Sequence, residues 1–439
     1  MRMTVIGTGY LGATHAACMA ELGHEVIGVD VDEAKIASLR DGKVPFFEPG
    51  LPEVLERNLT NGRLSFSTSY EDAAGFADVH FLAVGTPQKK GSFAADLTYV
   101  RAVITSLVPL LEGDHLIFGK STVPVGTAAE LQELADSLTR PGASVEIAWN
   151  PEFLREGFAV KDTITPDRIV LGVREGSSAD DVAREVYATA IENDTPFLVT
   201  DLPTSELVKV SANAFLATKI SFINAVAEIC EATGADVVQL ADAIGHDDRI
   251  GRKFLGAGLG FGGGCLPKDI RAFMARAGEL GTDQALTFLR EVDSINMRRR
   301  DRVVQLAREV CGGNLLGKRI TVLGAAFKPN SDDVRDSPAL SVAGSMSLQG
   351  AAVSVYDPQA MDNARKVFPT LSYATSTQEA LEDADVVVLA TEWQEFRDLD
   401  PVTARGIVTD PIIIDGRNVL DVDQWKSAGW TIHALGRNV

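Results

Sequence analysis

The chain has 439 residues, 45% hydrophobic and 23% charged, with 41 basic against 61 acidic residues for a formal net charge of −20. That is an ordinary globular composition, long enough for two or three domains. The negative balance argues against nucleic acid or an anionic membrane as partner while leaving small ligands open. No charged-then-apolar leader precedes the first strand-like run, and no uninterrupted apolar run approaches the roughly 18 residues of a membrane span. The four cysteines (Cys18, Cys230, Cys265, Cys311) and six histidines show no spacing for a disulfide framework or a metal site. A reduced, cytoplasmic protein without metal is expected.

In chain order, Met3-Thr4-Val5-Ile6 is an apolar β-rich run leading into Gly7-Thr8-Gly9-Tyr10-Leu11-Gly12 and a helix-like stretch containing Cys18. This is G-x-G-x-x-G in the strand–turn–helix context that a dinucleotide site requires. The glycines let the turn approach a pyrophosphate, and the helix N-terminus receives its charge. A second strand-like run, Glu25 to Val29, ends at Asp30, placed to bind the ribose hydroxyls of NAD and to repel the 2′-phosphate of NADP.

Up to about residue 200, strand-like and helix-like segments alternate, which predicts a parallel doubly wound sheet. Its strands run into the polar loops Gly85-Thr86-Pro87, Lys120-Ser121-Thr122 and Asn150-Pro151-Glu152. Ligands of open α/β sheets lie outside such carboxyl ends, so Thr86, Ser121, Thr122 and Glu152 are functional candidates, against the alternative of ordinary strand-exit loops. A long helix is predicted from Thr204, as N-cap, to Thr233, with Lys209 and Asn213 on one face. At 1.5 Å per residue it spans roughly 45 Å and could link two domains.

Then comes Gly260-Phe261-Gly262-Gly263-Gly264-Cys265-Leu266-Pro267-Lys268-Asp269. Pro267 suits a first helical turn, so Cys265 should sit at a helix N-terminus beside Lys268, where dipole and cation both favour thiolate. A buried structural cysteine in a glycine turn is the competing reading. From about Leu316 the pattern starts over: Arg319 to Gly324 echoes the first strand and turn, and Val353 to Asp357 echoes the second strand and its acid. Ala326 and Pro329 replace the later glycines, so this half should bind something other than a second dinucleotide. Cys18 and Cys230 fall in apolar helical stretches, and Cys311 at a helix end before Gly312-Gly313.

These segments together resemble the UDP-glucose 6-dehydrogenase family, within the wider UDP-glucose/GDP-mannose dehydrogenases. The resemblance covers essentially the whole chain through Ser121-Thr122-Val123-Pro124-Val125-Gly126, Asn150 to Gly157, Lys209 with Asn213 to Ala217, Ile250-Gly251 with Phe254-Leu255, the Cys265 segment, Ala326 to Pro329 and Asp332 to Arg335. It implies an α/β fold of two Rossmann-like doubly wound domains joined by a long central helix. The implied division is 1–202 for NAD, 203–300 for a dimerising helical region carrying the catalytic cysteine, and 301–439 for the UDP-sugar.

The implied activity is NAD-dependent, four-electron oxidation of UDP-glucose to UDP-glucuronate by a homodimer. Cys265 would form a thiohemiacetal and then a thioester. Lys209 and Asn213 would stabilise the oxyanions, Asp269 would order a water with Lys209, and Thr122 and Glu152 would hold another water and act as hydrolytic base. By similarity the cofactor meets Gly7, Gly9, Tyr10, Leu11, Gly12, Asp30 and Lys35 in the first turns, then Thr86, Ser121, Thr122 and Glu156, and finally Cys265, Lys268 and Arg335. The sugar nucleotide meets Glu152, Phe153, Leu154, Lys209 and Asn213, then Phe254, Leu255 and Gly262, then Phe327, Lys328 and Arg417, with Arg249 reaching from the partner subunit.

Two positions depart from the family pattern. Gly264 stands where relatives commonly carry Ser, and Gly256 where some carry Lys. GDP-mannose and UDP-N-acetylhexosamine dehydrogenases share the chemistry but differ ahead of the cysteine. A two-electron dehydrogenase of small hydroxy acids would need neither Cys265 nor a second nucleotide-type domain. A catalytically dead NAD-binding module would not need Cys265, Lys209, Asn213, Asp269 and Glu152 together.

Overall fold

The computed structural model describes residues 1–439. The chain divides into two compact units, Met1–Ala212 with Arg271–Gly281, and Asn213–Ile270 with Thr282–Val439.

The first unit is built on β1 (Arg2–Ile6), β2 (Glu25–Val29), β3 (Leu64–Ser67), β4 (Val79–Leu82), β5 (Asp114–Gly119), β6 (Ser144–Trp149), β7 (Ile169–Val173) and β8 (Phe197–Asp201), in the order β3-β2-β1-β4-β5-β6-β7-β8. Successive side chains feed two different cores. Val5, Phe81 and Phe118 join one cluster, while Ile6, Leu82 and Ile117 join the other. That alternation is what a sheet covered on both faces requires. All neighbours pair in parallel except β6 and β7, which meet antiparallel at Trp149 and Gly172. The helix Tyr10–Glu21 lies close on the sheet because Gly12, Ala13, Ala16, Ala17 and Ala20 on its buried surface are small.

The second unit carries β9 (Arg319–Leu323), β10 (Ala352–Tyr356), β11 (Ser372–Tyr373), β12 (Val386–Leu389), β13 (Ile412–Asp415) and β14 (Thr431–Ala434), in the order β11-β10-β9-β12-β13-β14. All are parallel. The first six strands of the first unit have the same order, the one typical of dinucleotide-binding folds. The restart expected near Leu316 is therefore a second sheet of the same topology.

The helix Leu202–Thr233 runs from one unit into the other. It starts two residues before Thr204, and Thr204 is not its cap. The Thr204 amide donates to Asp201 Oδ1 at 2.7 Å, so the last residue of β8 caps the helix and Pro203 takes a first-turn position where no N–H is needed. Length and composition alone would let this helix cross a membrane (hydropathy 1.3 over its most apolar stretch), which counting uninterrupted apolar runs did not anticipate. Its buried polar residues instead find partners in the protein. Glu206 accepts the Gly126 and Ala128 amides at 2.7 Å each, Ser221 bonds the Val292 carbonyl at 2.7 Å, and Asn224 accepts the Gly258 amide at 2.9 Å.

Candidate active site

The turn after β1 uses its three glycines for three different physical reasons. Gly7 has φ +91° and a Cβ there would lie 2.7 Å from Val84 Cγ1, so it serves the tight turn. A Cβ on Gly12 would lie 1.7 Å from the Gly7 carbonyl oxygen, so it serves the close passage of helix over turn. A Cβ on Gly9 would meet no heavy atom within 4 Å. Nothing in the protein requires a glycine there, and the space is what a pyrophosphate would take. The helix from Tyr10 has no side-chain cap and no acid in its first turn, leaving its N-terminal donors for an anion. Leu11 is half-buried beside the core. The Tyr10 hydroxyl donates to the buried Glu48, which also accepts the Gly157 amide at 2.6 Å and the Ala159 amide at 2.7 Å.

Asp30 follows β2. Its Oδ2 accepts the Thr8 amide at 2.8 Å and the Lys35 ammonium at 2.7 Å, and its Oδ1 accepts the Asp32 amide at 3.1 Å. Burial works against its charge, but Lys35 and the two amides outweigh it and hold the carboxyl below its ordinary range. The group is an anion beside the turn, which suits the ribose hydroxyls of NAD and disfavours a 2′-phosphate. The residues present fit NAD.

Further strand exits complete this edge. Thr86 donates to the Thr122 carbonyl and Ser121 to the Val84 carbonyl, each at 2.7 Å, so these hydroxyls tie neighbouring loops together. Glu152 Oε1 accepts the Phe153 and Leu154 amides at 2.6 and 2.7 Å, and Oε2 lies 3.3 Å from Lys120. The Phe153 ring carries two cations, Arg168 at 3.9 Å and Lys209 at 5.4 Å from its centroid. Glu156 is buried.

In the second unit, the Cys265 carbonyl accepts the Asp269 amide at 2.9 Å, which makes Cys265 the cap residue of the helix Leu266–Glu279. The thiol is exposed, outside any disulfide, and at the positive end of that helix. The buried Asp269 binds Lys268 at 2.5 Å and the Asn213 amide nitrogen at 2.6 Å. The competing reading, a buried structural cysteine, is excluded by that exposure. Cys18 and Cys230 are the buried ones, and Cys311 caps the helix Thr287–Val310 at its C-terminus.

Backbone approach explains the glycines ahead of Cys265. A Cβ on Gly262 would lie 2.3 Å from the Asp336 carbonyl oxygen, and one on Gly263, at φ +83°, would lie 2.8 Å from the Phe327 ring. At Gly264 it would meet the Arg335 guanidinium carbon at 2.2 Å. A serine side chain at this position would thus compete with Arg335 for this space. Arg335 also pairs with Asp333 at 2.7 Å, and Lys328 lies over the Phe327 ring at 5.3 Å.

Arg417 donates to the carbonyls of Ala390 at 2.7 Å, Gly260 at 2.9 Å and Phe327 at 3.5 Å. It thereby holds the glycine segment against a strand-exit loop. Phe254 adopts φ +65° and is 40% exposed, an outlier for a bulky side chain and a conformation retained mainly at functional sites. Leu255 is buried beside it. Arg249 is exposed and bound to Asp247 at 2.6 Å.

Sequence reasoning passed over three supports. Asn296 clamps Phe261 through both amide and carbonyl at 2.7 and 2.9 Å. The buried Arg300 bonds Asp336 at 2.8 Å and the Phe261 carbonyl at 3.2 Å. Lys120 meets Glu152. A lysine directly ending an apolar strand was the available signal for the last.

A dinucleotide turn with its ionised acid, followed by a second sheet of the same order, fits an NAD-binding protein with two nucleotide-type domains, and the relatives make it an NAD-dependent dehydrogenase. Three models of one family match in succession: the NAD binding domain over residues 1–191, the central domain over 203–298 and the UDP binding domain over 321–422. The chain belongs to the UDP-glucose/GDP-mannose dehydrogenase family. It is 43% identical over 439 residues to a UDP-glucose 6-dehydrogenase of Rhizobium meliloti, covering 100% of both chains. To UDP-glucose 6-dehydrogenase TuaD of Bacillus subtilis it is 40% identical, covering 99% of this chain and 93% of that one. A solved UDP-glucose dehydrogenase from Pyrobaculum islandicum superposes with TM-score 0.90 at 39% identity, covering 100% and 98%.

Proposed function

We propose that this protein oxidises the C6 alcohol of UDP-glucose to the carboxylate of UDP-glucuronate, with Cys265 as nucleophile. The substrate rests on the full-length similarity to proteins named for it. The observation that carries the mechanism is the exposed Cys265 thiol at a helix N-terminus, with the buried Asn213–Asp269 pair in the same unit.

Bound NAD supplies the hydride acceptor, once for the alcohol and once, as a fresh molecule, for the thiohemiacetal. Gly7, Gly9 and Gly12 shape its turn, Asp30 and Lys35 serve its ribose, and Thr86, Ser121, Glu156 and Arg335 are the further positions proposed to hold it. Cys265 as thiolate adds to the C6 aldehyde, forming a C–S bond while the carbonyl oxygen gains a proton. Lys209 by charge and Asn213 by its amide stabilise that oxygen while it is anionic, and Asp269 fixes the Asn213 amide. After the second oxidation the C6–S link is a thioester. Water, held with Thr122, attacks it while Glu152 takes a water proton. The C–S bond then breaks, the sulfur leaves as thiolate, and the proton passes to solvent. Phe153, Leu154, Phe254, Leu255, Gly262, Phe327, Lys328 and Arg417 are the proposed sugar-nucleotide positions.

On this reading 1–202 binds NAD, 203–300 carries the cysteine and the dimer contact, and 301–439 holds the UDP-sugar. The helix Leu202–Thr233 exposes Phe215, Phe222 and Ile229 at 66%, 53% and 63%. Seven-residue spacing puts them on one stripe, which supports burial against a second copy; Arg249 is proposed, by the family resemblance alone, to reach across that interface. A reducing, cytoplasmic setting is part of the same proposal.

The test is NADH formed per limiting UDP-glucose with NAD in excess. Two NADH and UDP-glucuronate, lost in Cys265→Ser with NAD binding retained, are expected. One NADH per sugar, or full activity in Cys265→Ser, overturns the mechanism. Two NADH from GDP-mannose and none from UDP-glucose overturns only the substrate.

A further inference from the structure

Lys120 is the one cation of the first unit's strand ends that is almost wholly buried, at 4% exposure. Its ammonium lies 3.0 Å from Asn150 Oδ1, 3.2 Å from the Tyr187 hydroxyl and 3.3 Å from Glu152 Oε2. Three acceptors meet its three N–H donors. The neutral partners are themselves fixed. Tyr187 donates to Asn150 Oδ1 at 2.6 Å, and Asn150 Nδ2 donates to the Val170 carbonyl at 2.8 Å. On the other side, Glu152 Oε1 is committed to two backbone amides, so Oε2 is the oxygen with capacity left for a proton. A buried lysine with no carboxylate partner would carry a large desolvation cost, and Glu152 is that partner.

We propose that Lys120 is a positioning residue for hydrolysis of the Cys265 thioester: its bonded ammonium orients Oε2 of Glu152 toward the attacking water and gives that carboxylate a fixed countercharge. The inference rests on Glu152 as the hydrolytic base.

The surrounding titratable groups leave this pair distinct. Lys120, Asn150, Glu152 and Tyr187 line one cavity together with His15, from the helix Tyr10–Glu21; burial first, and then the Lys120 charge, hold His15 well below its ordinary value, so it stays neutral. Burial raises the Tyr187 phenol, so it too is neutral. Of the other charged groups lining the cavity, Asp162 is paired with Arg155 at 2.7 Å and Arg168 lies over Phe153, while Asp167 is exposed.

The experiment compares Lys120→Met, Lys120→Arg, Tyr187→Phe and Glu152→Gln by pre-steady-state NADH formation, intact mass and the pH profile of kcat. Removing a cation from beside a carboxylate favours its protonated form. Lys120→Met should therefore keep a burst of two NADH per chain, accumulate a UDP-glucuronyl adduct on Cys265, turn over about tenfold slower or more, and move the acid limb of kcat to higher pH. Lys120→Arg should restore most of both. A purely structural lysine would lower the amount of active enzyme without adduct or pH displacement, and that result overturns the proposal. Should Lys120→Met not fold, Tyr187→Phe decides, with slowed deacylation and visible adduct in support and unchanged deacylation against. If Glu152→Gln itself accumulates no adduct, the base assignment fails and this proposal with it. An adduct in Glu152→Gln but none in the Lys120 and Tyr187 variants rejects Lys120 alone.

Discussion

Two alanine substitutions three residues apart should fail in different ways. Gly9 has φ −69° and ψ −166°, a conformation open to alanine, and its added Cβ touches nothing within 4 Å. Gly9→Ala should leave Tm unchanged or raise stability slightly, by up to about 0.4–1 kcal/mol through the unfolded chain. Its methyl group occupies the space assigned to the pyrophosphate, so NAD affinity should fall at least about tenfold, or about 1.4 kcal/mol. At Gly12 the added carbon would lie 1.7 Å from the Gly7 carbonyl oxygen, far inside the roughly 3.5 Å at which heavy atoms rest. Backbone must yield on both sides, and overpacking of this kind costs about 1–3 kcal/mol or more. Gly12→Ala should lower Tm by roughly 3–10 °C as well as weaken NAD. Calorimetric unfolding and NAD titration of both variants separate the two outcomes. Wild-type NAD affinity in Gly9→Ala, or wild-type Tm in Gly12→Ala, refutes the division of labour among these glycines.

Asp30→Ala should raise KM for NAD by about 10- to 100-fold through loss of charged hydrogen bonds and narrow the preference over NADP; an unchanged ratio of kcat/KM for the two cofactors counts against the ribose assignment. His80 is pushed down to about 3, by burial first and then by the neighbouring His115. The folded state therefore binds fewer protons than the unfolded chain between pH 6.5 and about 3. Its contribution is fully present above pH 6.5 and is lost as pH falls through that window, reaching about 2 kcal/mol by pH 5. Urea midpoints measured from pH 7.5 to 5 should decline in the parent and decline less steeply in His80→Gln, and parallel slopes would argue against it.

What the sequence made legible was local. The glycine turn and Asp30 lie within one strand–helix–strand unit, and Cys265 announces its helix through Pro267 two residues on. Both features could be placed because the signal and the structure occupy the same short stretch. What escaped was long-range. Glu48 sits in no motif, yet it is 2% exposed and joins Tyr10 to Gly157 and Ala159. Those partners are too distant in sequence for periodicity to connect. Lys120 was visible as a lysine after an apolar strand, but its partners Asn150 and Tyr187 lie on other elements. The cap of the long helix was misplaced for a related reason. Thr204 has the right residue type, but the helix already begins at Leu202, and Asp201, at the end of a strand, accepts the Thr204 amide. The antiparallel meeting of β6 and β7 depends on how the intervening segment turns the chain, which strand patterns alone do not encode.

The second sheet shows how far one topology can diverge at a single acid. Gly324 keeps the tight turn, with φ +115° and a Cβ position 2.4 Å from Thr391 Oγ1. Asp357 follows β10 as Asp30 follows β2. Yet Asp357 is 1% exposed and accepts five hydrogen bonds. Three reach Oδ2, from the Ala325 amide at 2.8 Å, the Ala326 amide at 2.9 Å and Trp393 Nε1 at 3.0 Å. Two reach Oδ1, from the Gln359 and Ala360 amides at 2.9 Å each. The loss of glycine at Ala326 is thus the smaller obstacle to a dinucleotide. A ribose could reach this acid only if several buried amides and an indole gave up their acceptor, each at about 1–3 kcal/mol. Restoring the glycine should therefore not restore the function. In Ala326→Gly, NAD titration by calorimetry should still give one site per chain, and a second site would show that the glycine, not the commitment of Asp357, closes this half to dinucleotides.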